Sequence, residues 1–329
     1  MLLKLVCPAC RGELAYEGSR PPSCLACGKQ YTCRDGVISF LNPSDSFNPT
    51  LFQDKQEQAW SKSARLRDRI RRSRFLTFLN WLRIQLSLSG RRDRLFYQGL
   101  CGARPGALIL DVGCGGGRHY FSSHGKVIGI DPVFDLLRIA QTVYDEVYHA
   151  SAFQLPFPDN SFDFVVSSDV IGHVPIELKD TMFSEIYRVL RAGGRTIHVI
   201  ETDATNVWFR FAHRYAELFQ KYFVEVPGHI SLEMPTELRA RFLRHGFKEV
   251  QFRKFASTIQ ECGTIAGYFN NEYRQKSTLI RLAVAVDKLL AQNLLVKEIT
   301  NVLLEPAAKL ADALTEFNAG SGALVVFEK

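Results

Sequence analysis

The chain has 329 residues, of which 46% are hydrophobic, so it is long enough for one large core with a small appendage or for two ordinary domains. It shows neither a secretory signal pattern nor a run of about 18 apolar residues, which argues against export or a membrane span and predicts a cytoplasmic protein. The net charge of +7 is uneven, since residues 62–94 carry eleven Lys or Arg against two Asp and the rest of the chain sums to −2. This distribution excludes a basic surface spread over the whole fold.

Five of the eight cysteines lie in the first tenth of the chain, and four of them form two C-x-x-C pairs. Each pair can turn back on itself so that both thiolates face one tetrahedral metal ion. Four thiolates close the coordination shell, so we predict a structural zinc held by Cys7, Cys10, Cys24 and Cys27. Disulfides and a redox C-x-x-C are alternatives that the compartment and the turn-rich context disfavour. The zinc ribbon is expected over residues 1–42, with Cys33 as a bystander.

A linker and a basic helical segment are predicted for residues 43–94. Apolar residues at helical spacing predict a helix over about 61–88, flanked by arginines and containing Phe75, Phe78 and Trp81. A solvated helix face is the simplest interpretation. The same residues also suit anionic lipid headgroups, or RNA if they grip phosphates and stack on bases.

Residues 95–329 alternate apolar strands with amphipathic helices, which predicts an α/β domain with a mainly parallel sheet. The predicted strands cover 107–110, 126–130, 146–149, 162–167, 195–201, 247–252 and 323–327. The segment from about 256 to 320 is longer than a connection between the last two strands requires, so a helical insertion is predicted there.

The first of these strands runs into a glycine turn, Asp111-Val-Gly-Cys-Gly-Gly-Gly117, where absent side chains let backbone N–H groups approach a ligand. A dinucleotide fingerprint starting at Gly113 needs glycine at position 118, where Arg118 stands instead. Asp111 disfavours a pyrophosphate but suits a cofactor with a sulfonium and an ammonium group. The second strand ends at Asp131, whose carboxylate can accept hydrogen bonds from both ribose hydroxyls.

Four motifs, taken in order, resemble the class I S-adenosylmethionine-dependent methyltransferases, in the branch that includes ubiquinone and menaquinone biosynthesis enzymes. They are 109–117, 127–131, 155–163 and 185–194, within a resemblance that covers roughly 95–255. The resemblance implies a Rossmann-like sheet of seven strands in the order 3-2-1-4-5-7-6, with strand 7 antiparallel. It also implies S-adenosylmethionine bound across the C-terminal ends of strands one to four, with S-adenosylhomocysteine as the product.

The resemblance implies that Gly113 and Gly115 contact the methionine part of the cofactor and that Asp111 orders the glycine loop. It also implies that Asp131 binds the ribose. Ser151 stands where the family usually has an acidic residue for the adenine, and the segment after the glycine loop is too short for the usual helix. The cofactor-binding set that we expect is Asp111, Gly113, Gly115, Gly117, Asp131, Pro132, Ser151, Ala152 and Ser168.

Methyl transfer from a sulfonium depends mainly on alignment, and a general base is needed only for a hydroxyl or a carbon acid. The candidate base is His173, just past the fourth strand, where the resemblance puts the substrate. A loop histidine that bonds a backbone carbonyl is an equally good interpretation. His229 is a second candidate that better fits a lid or loop, and His119 fits the pocket wall.

The aromatic segment 206–223 and the helical insertion are expected to shape the acceptor site, although such stripes are more often core. Helices rich in Leu, Ala and Val would form an apolar cover, so the expected acceptor is a small or lipid-like molecule and the basic segment a surface or membrane-docking helix. RNA methylation through the ribbon and the basic segment is the alternative. The sequence after strand four, Ser168-Asp-Val-Ile, lacks the Pro-rich tetrapeptide of base-methylating enzymes and argues against it. A non-catalytic scaffold that binds the cofactor is a second alternative, which the intact glycine loop and Asp131 disfavour.

Overall fold

The computed structural model describes residues 3–16, 21–41, 74–100, 103–104 and 106–329. The predicted linker and most of the basic segment, including 61–73, lie outside the described residues. The described part of that segment contains helix α1, Arg74–Leu86, followed by a 3-10 turn at Leu88–Gly90 and helix α2, Arg91–Gly99.

The cysteine-rich N-terminus forms two small antiparallel pairs of strands. The first pair is β1, Leu14–Ala15, with β2, Ser23–Cys24. The second pair is a hairpin of β3, Thr32–Arg34, and β4, Val37–Ser39. Leu5, Tyr31 and Phe40 from this region are buried in the same apolar cluster as the main sheet. The N-terminal region therefore packs on the main sheet through a shared core.

The main sheet has seven further strands. They are β5 Leu108–Val112, β6 Lys126–Asp131, β7 Glu146–His149, β8 Phe162–Ser168, β9 Leu190–Glu201, β10 Lys248–Phe255 and β11 Gly322–Glu328. The order across the sheet is β10-β11-β9-β8-β5-β6-β7-β4-β3, with β11 antiparallel to both of its neighbours. In the part of the chain that the structure describes, the β3–β4 hairpin extends the sheet to nine strands, so the expected number of seven is wrong. Ser39 pairs with His149 in parallel to make this junction.

Residues of the central strands face alternate sides of the sheet and fill two separate apolar layers. Leu108 and Leu110 of β5 join the layer that includes Phe183 and Phe242, whereas Ile109 joins the layer that includes Phe96. All five residues of β5 are buried, as expected for a parallel strand covered on both faces. The register places Asp111, near the C-terminal end of β5, beside Gly129 of β6.

The helices flank the sheet and form the insertion. The remaining helices are α3 His119–Ser122, α4 Phe134–Ala140, α5 Ile176–Val189, α6 Val207–His213, α7 Ala216–Phe219, α8 Pro235–Arg244, α9 Thr264–Phe269, α10 Tyr273–Lys276, α11 Thr278–Ala291 and α12 Leu294–Leu314. Short 3-10 turns lie at Ile171–His173 and Phe317–Ala319, and a π-helix at Gln220–Glu225. Helices α9 to α12 lie between β10 and β11, where the sequence predicted an insertion, and their aromatic residues share a third core with α6 and the π-helix.

Helix α12 is tied to α2 by buried ion pairs. Arg91 lies 2.8 Å from Asp312 and 3.2 Å from Glu305, and Arg94 also pairs with Glu305. Arg94 donates further hydrogen bonds to the backbone carbonyls of Ile84 and Gln85. Part of the basic charge read from the sequence is therefore neutralised inside the fold.

Candidate active site

The glycine turn after β5 is held in a conformation that favours glycine. Gly113, Gly115 and Gly117 have φ angles of 68°, 52° and 78°, in the left-handed region. A Cβ atom on Gly113 would lie 2.6 Å from a methyl carbon of Val170, so a larger residue would also clash. The backbone N–H groups of Gly113 and Cys114 both donate to the carbonyl of Ile130 at 2.9 Å, which fixes the turn to the end of β6.

Asp131 lies at the C-terminal end of β6 and contacts this turn directly. Its carboxylate accepts hydrogen bonds from the backbone N–H of Gly115 and of Val133, each at 2.8 Å. The side chain is buried, and burial raises the pKa of Asp131 to about 6 in spite of these bonds. The adjacent Pro132 offers its carbonyl to His149 Nε2 at 3.0 Å.

Asp111 is the second buried carboxyl beside the turn. The Tyr144 hydroxyl donates to Asp111 Oδ2 at 2.6 Å, and the same hydroxyl accepts from the backbone N–H of Arg118 at 2.7 Å. Burial raises the pKa of Asp111 to about 7, although the Tyr144 bond and the charge of Arg118 oppose this shift. Tyr144 was missed in the sequence, because no local pattern links it to a residue 33 positions earlier.

The arrangement of two buried carboxyls around a glycine turn fits S-adenosylmethionine. A cationic sulfonium and ammonium would relieve the cost of ionising Asp111, and ribose hydroxyls have the donors that an ionised Asp131 accepts. A pyrophosphate would add negative charge beside both groups. Ser151 and Ala152, expected at the adenine, follow β7 in the next loop, where Ser151 Oγ accepts from the Phe153 N–H at 3.2 Å.

A chain of charged and polar side chains leads away from the turn across the ends of β8 and β9. Arg118 donates to Ser168 Oγ at 3.0 Å, and Ser168 donates to Asp169 Oδ2 at 3.0 Å. Arg92 of α2 then lies 2.5 Å from Asp169 Oδ1 and 3.5 Å from Glu201 Oε1. This chain connects the predicted cofactor residue Ser168 with Glu201, the last residue of β9.

His173 and His229 lie at the far end of this chain. His229 Nε2 is 2.5 Å from Glu201 Oε2, and His229 Nδ1 is 2.7 Å from the carbonyl of Phe223. Burial opposes ionisation of Glu201, but the bond from His229 and the charge of Arg92 lower its pKa to about 2. Burial also opposes the charge on His229, and its bond to Glu201 outweighs burial and raises its pKa. Glu201, His229 and Arg92 thus form an ion-paired group.

His173 packs beside this group, in the 3-10 turn that follows Val170. Its ring centre lies 4.9 Å from that of His229, and its Nδ1 lies 2.8 Å from the carbonyl of Gly228. A carbonyl only accepts, so Nδ1 carries the hydrogen and, in the neutral ring, Nε2 carries the lone pair. Burial lowers the pKa of His173, which favours the neutral ring. This bond to a backbone carbonyl is the one expected if His173 is an ordinary loop histidine.

A cavity of about 130 Å³ opens on the C-terminal side of β9. Its polar wall contains Arg92, Glu201 and His229. Its remaining wall is mainly aromatic and aliphatic, and comes from the segment 206–223, the start of the insertion and helix α9. These residues include Trp208, Phe209, Phe223, Ile259, Ile265 and Tyr268. The aromatic segment and the insertion, both of which the sequence analysis expected at the acceptor site, therefore meet around one cavity.

The four predicted cysteine ligands lie together in the ribbon region. Their sulfur atoms are all within 4.8 Å of one another, with Cys7 and Cys27 at 3.8 Å and Cys10 and Cys24 at 3.4 Å. Hydrogen bonds from the backbone, first from Cys27, lower the pKa of Cys24 to about 6, which favours a thiolate. This cluster could hold a metal ion, and Cys33 lies apart from it in β3.

Comparisons with known proteins agree with this geometry. A family model described as a methyltransferase domain matches residues 110–198. The demethylmenaquinone methyltransferase of Bacillus licheniformis is 31% identical over 179 residues, covering 47% of this chain and 76% of that protein. Its counterpart from Lactiplantibacillus plantarum is 30% identical over 181 residues, covering 45% and 73%. On these sequence matches, the chain belongs to the class I S-adenosylmethionine-dependent methyltransferases, and it is an enzyme that uses that cofactor.

Among solved structures, an S-adenosylmethionine-dependent methyltransferase from Archaeoglobus fulgidus aligns with a TM-score of 0.46 at 17% identity, over 77% of this chain and 99% of that chain. Within the described residues, no helix is both long and apolar enough to cross a bilayer.

Proposed function

We propose that the enzyme methylates a small, mainly apolar acceptor with a ring-sized head group of the quinone type. The observation that carries this proposal is the cavity beyond β9, whose aromatic and aliphatic residues form most of the wall beside an ion-paired group of Arg92, Glu201 and His229, and this lining suits an uncharged ring. Its volume of about 130 Å³ is close to that of an apolar cavity known to hold benzene, about 150 Å³. A lipid-like tail would therefore lie outside it. The relatives named as demethylmenaquinone methyltransferases support the same acceptor class.

In this proposal, residues at the glycine turn hold the cofactor. Asp131 accepts hydrogen bonds from the ribose hydroxyls, and Asp111 faces the cationic end of the cofactor. The missing side chains of Gly113, Gly115 and Gly117 allow the cofactor to approach the backbone closely. Pro132, Ser151, Ala152 and Ser168 complete the expected set around the adenine and the methyl end.

His173 is the proposed general base for an acceptor hydroxyl or carbon acid. Its Nδ1 is held by the Gly228 carbonyl, and burial favours the neutral ring, which is the form that can accept a proton. The variant His173→Asn keeps an N–H donor near the position of Nδ1 and lacks the base. We expect kcat to fall by about 10²–10⁴-fold with unchanged cofactor affinity. An unchanged kcat would show that His173 is not the base and that its bond to the Gly228 carbonyl is only structural.

RNA as the acceptor has less support. Arg91, Arg92 and Arg94, which belong to the basic segment, are engaged by Asp312, Asp169, Glu201 and Glu305 and have little capacity left for phosphates. The cavity wall is mainly apolar and its two arginines, Arg91 and Arg92, are ion-paired, whereas an RNA enzyme would extend a positive field there.

The acceptor assignment is tested with the full chain, S-adenosylmethionine and a demethylmenaquinone with a shortened tail, with the methylated product followed by mass spectrometry. Ile265→Trp should fill the cavity and reduce turnover by about tenfold or more, while cofactor binding stays unchanged. Leu243→Trp, on an exposed site of α8, is the matched control. Equal turnover by both variants, or transfer of the methyl group to RNA in place of the quinone, would refute the assignment.

We further propose that Cys7, Cys10, Cys24 and Cys27 hold one structural zinc. Zn–S bonds of about 2.3 Å in a tetrahedron put sulfur atoms about 3.8 Å apart, close to the distances between these cysteines. A Cβ atom on Gly12 would lie 3.3 Å or less from two of these sulfur atoms, so the turn leaves space only for glycine beside the cluster. The ion would stabilise the region that supplies β3 and β4.

A further inference from the structure

Helices α11 and α12 expose an unusual number of large aliphatic side chains. They include six leucines, each with 60–78% of its surface accessible: Leu279, Leu282, Leu289, Leu295, Leu303 and Leu310. We call the exposed aliphatic positions of these two helices, including these six, the leucine face. Globular proteins seldom leave such a set uncovered unless it meets a partner or a membrane.

The positions of these residues show that they are not scattered. On α11, exposed residues at 279, 282, 286 and 289 recur every three or four positions and therefore share one side of the helix. On α12, exposed residues at 295, 299, 303, 310 and 314 follow the same spacing. The two helices are consecutive and pack against each other, so each presents an apolar stripe to solvent.

The charges of the two helices are sorted by side. All four acidic residues point into the protein: Asp287 accepts from the backbone N–H groups of Gly263 and Ala266, and Glu298, Glu305 and Asp312 bind residues of α2 and its neighbouring turns. The exposed charged residues are Arg281, Lys288 and Lys309, and all three are cations; Lys309 also lies 3.4 Å from the buried Glu305. An apolar stripe accompanied only by exposed cations is complementary to anionic lipid headgroups.

Aromatic residues extend this surface. Helix α1 packs against α12, and its Phe78 and Trp81 side chains are exposed with their rings stacked at 6.1 Å. Aromatic side chains with an apolar body favour the boundary between headgroups and acyl chains.

We propose that the leucine face is a membrane-docking surface that lies in the headgroup region of an anionic bilayer without crossing it. A second copy of the chain is a poorer occupant, because two such faces in contact would bring exposed cations together, and the two helices expose no acidic residue to pair with them. Helix α9, whose N-terminal amides Asp287 holds, also lines the cavity. If the proposed function is right, docking would place the cavity close to a lipid-like acceptor, but docking itself does not depend on that function.

The test is co-sedimentation of the full-length protein with vesicles made of equal parts of phosphatidylglycerol and phosphatidylcholine, without cofactor or acceptor. We expect the protein to bind these anionic vesicles and to bind vesicles of pure phosphatidylcholine much more weakly. Replacing Leu282, Leu289, Leu303 and Leu310 by Gln should lower the partition coefficient by about tenfold or more. Leu243→Gln with Val250→Gln is the matched control, since both are exposed outside the leucine face. Melting temperatures verify that all variants fold.

A second variant set tests the charge complementarity. Arg281→Glu, Lys288→Glu and Lys309→Glu together should lower binding to the anionic vesicles by on the order of tenfold or more. The proposal is overturned if the wild-type protein does not bind the anionic vesicles, or if the leucine variants bind as well as the control. It is also overturned if sedimentation velocity shows a dimer that the leucine variants dissociate, since the face would then be an interface between copies.

Discussion

Cofactor binding should release protons, because two buried carboxyls at the glycine turn are partly protonated near neutral pH. Burial raises the pKa of Asp111 to about 7 and that of Asp131 to about 6. At about pH 6.5, Asp111 then holds about three quarters of a proton and Asp131 about one quarter. A cation within about 4–6 Å lowers a carboxyl pKa by about 1–3 units, and hydroxyl donors favour the ionised form. S-Adenosylmethionine supplies both, so its binding should release up to about one proton.

The measurement is isothermal titration calorimetry at about pH 6.5 in several buffers that differ in ionisation enthalpy. The slope of the observed enthalpy against that buffer enthalpy gives the number of protons released. Asp111→Asn should remove most of the release, because it removes the carboxyl with the higher pKa. S-Adenosylhomocysteine, which lacks the sulfonium charge, should release less than the methylated cofactor. A slope of zero for the wild-type protein would refute the reasoning.

Three further predictions follow from the same residues. Asp131→Asn should weaken S-adenosylmethionine binding by about 10- to 150-fold, since a charged hydrogen bond contributes about 1.5–3 kcal/mol, and equal affinity in calorimetry would contradict the ribose assignment. Because folding raises the pKa values of Asp111 and Asp131, the cofactor-free native state binds more protons than the unfolded chain above about pH 4. The free energy of unfolding that comes from these two carboxyls is therefore lost as pH rises through about 6 to 7. Asp111→Asn should flatten that decline in melting temperature, and an unchanged decline would count against the raised pKa. Cys24→Ser should lower bound zinc from about one per chain to nearly none by elemental analysis, whereas Cys33→Ser should retain it; full zinc in Cys24→Ser would rule out the four-thiolate site.

Much of the sheet could be predicted because its strands are continuous apolar runs bounded by turns. Strand β7 was predicted with its observed bounds, and β5 was displaced by only one or two residues. The strands β3 and β4 could not be predicted as part of this sheet. They are three residues long, and Ser39 pairs with a residue 110 positions away, which no local pattern encodes.

In the candidate site, too, the residues that local sequence places could be predicted, and those that arrive from distant segments could not. The glycine turn and Asp131 follow directly from strand ends, so local sequence was sufficient to bring them together. Tyr144 and Arg92 reach the site from distant segments, and no periodicity marks them. Glu201 carried a usable signal, because it ends a predicted strand as Asp131 does, and the same rule about strand tips would have identified it.

In the proposed function, the polar chain between the glycine turn and the cavity would allow one site to serve a cationic cofactor and an uncharged acceptor. Arg92 pairs with both Glu201 and Asp169, and His229 bonds Glu201, so the charges that Arg92 and Glu201 bring to the cavity wall are paired. Charges paired in this way attract phosphates only weakly, and the apolar part of the wall suits a neutral ring. The carboxyls at the glycine turn keep raised pKa values, although the charge of Arg118 opposes the shift of Asp111, so a bound sulfonium would favour their ionised forms. In the proposed function, this distribution of charge would direct the sulfonium to one end of the site and the apolar acceptor to the other.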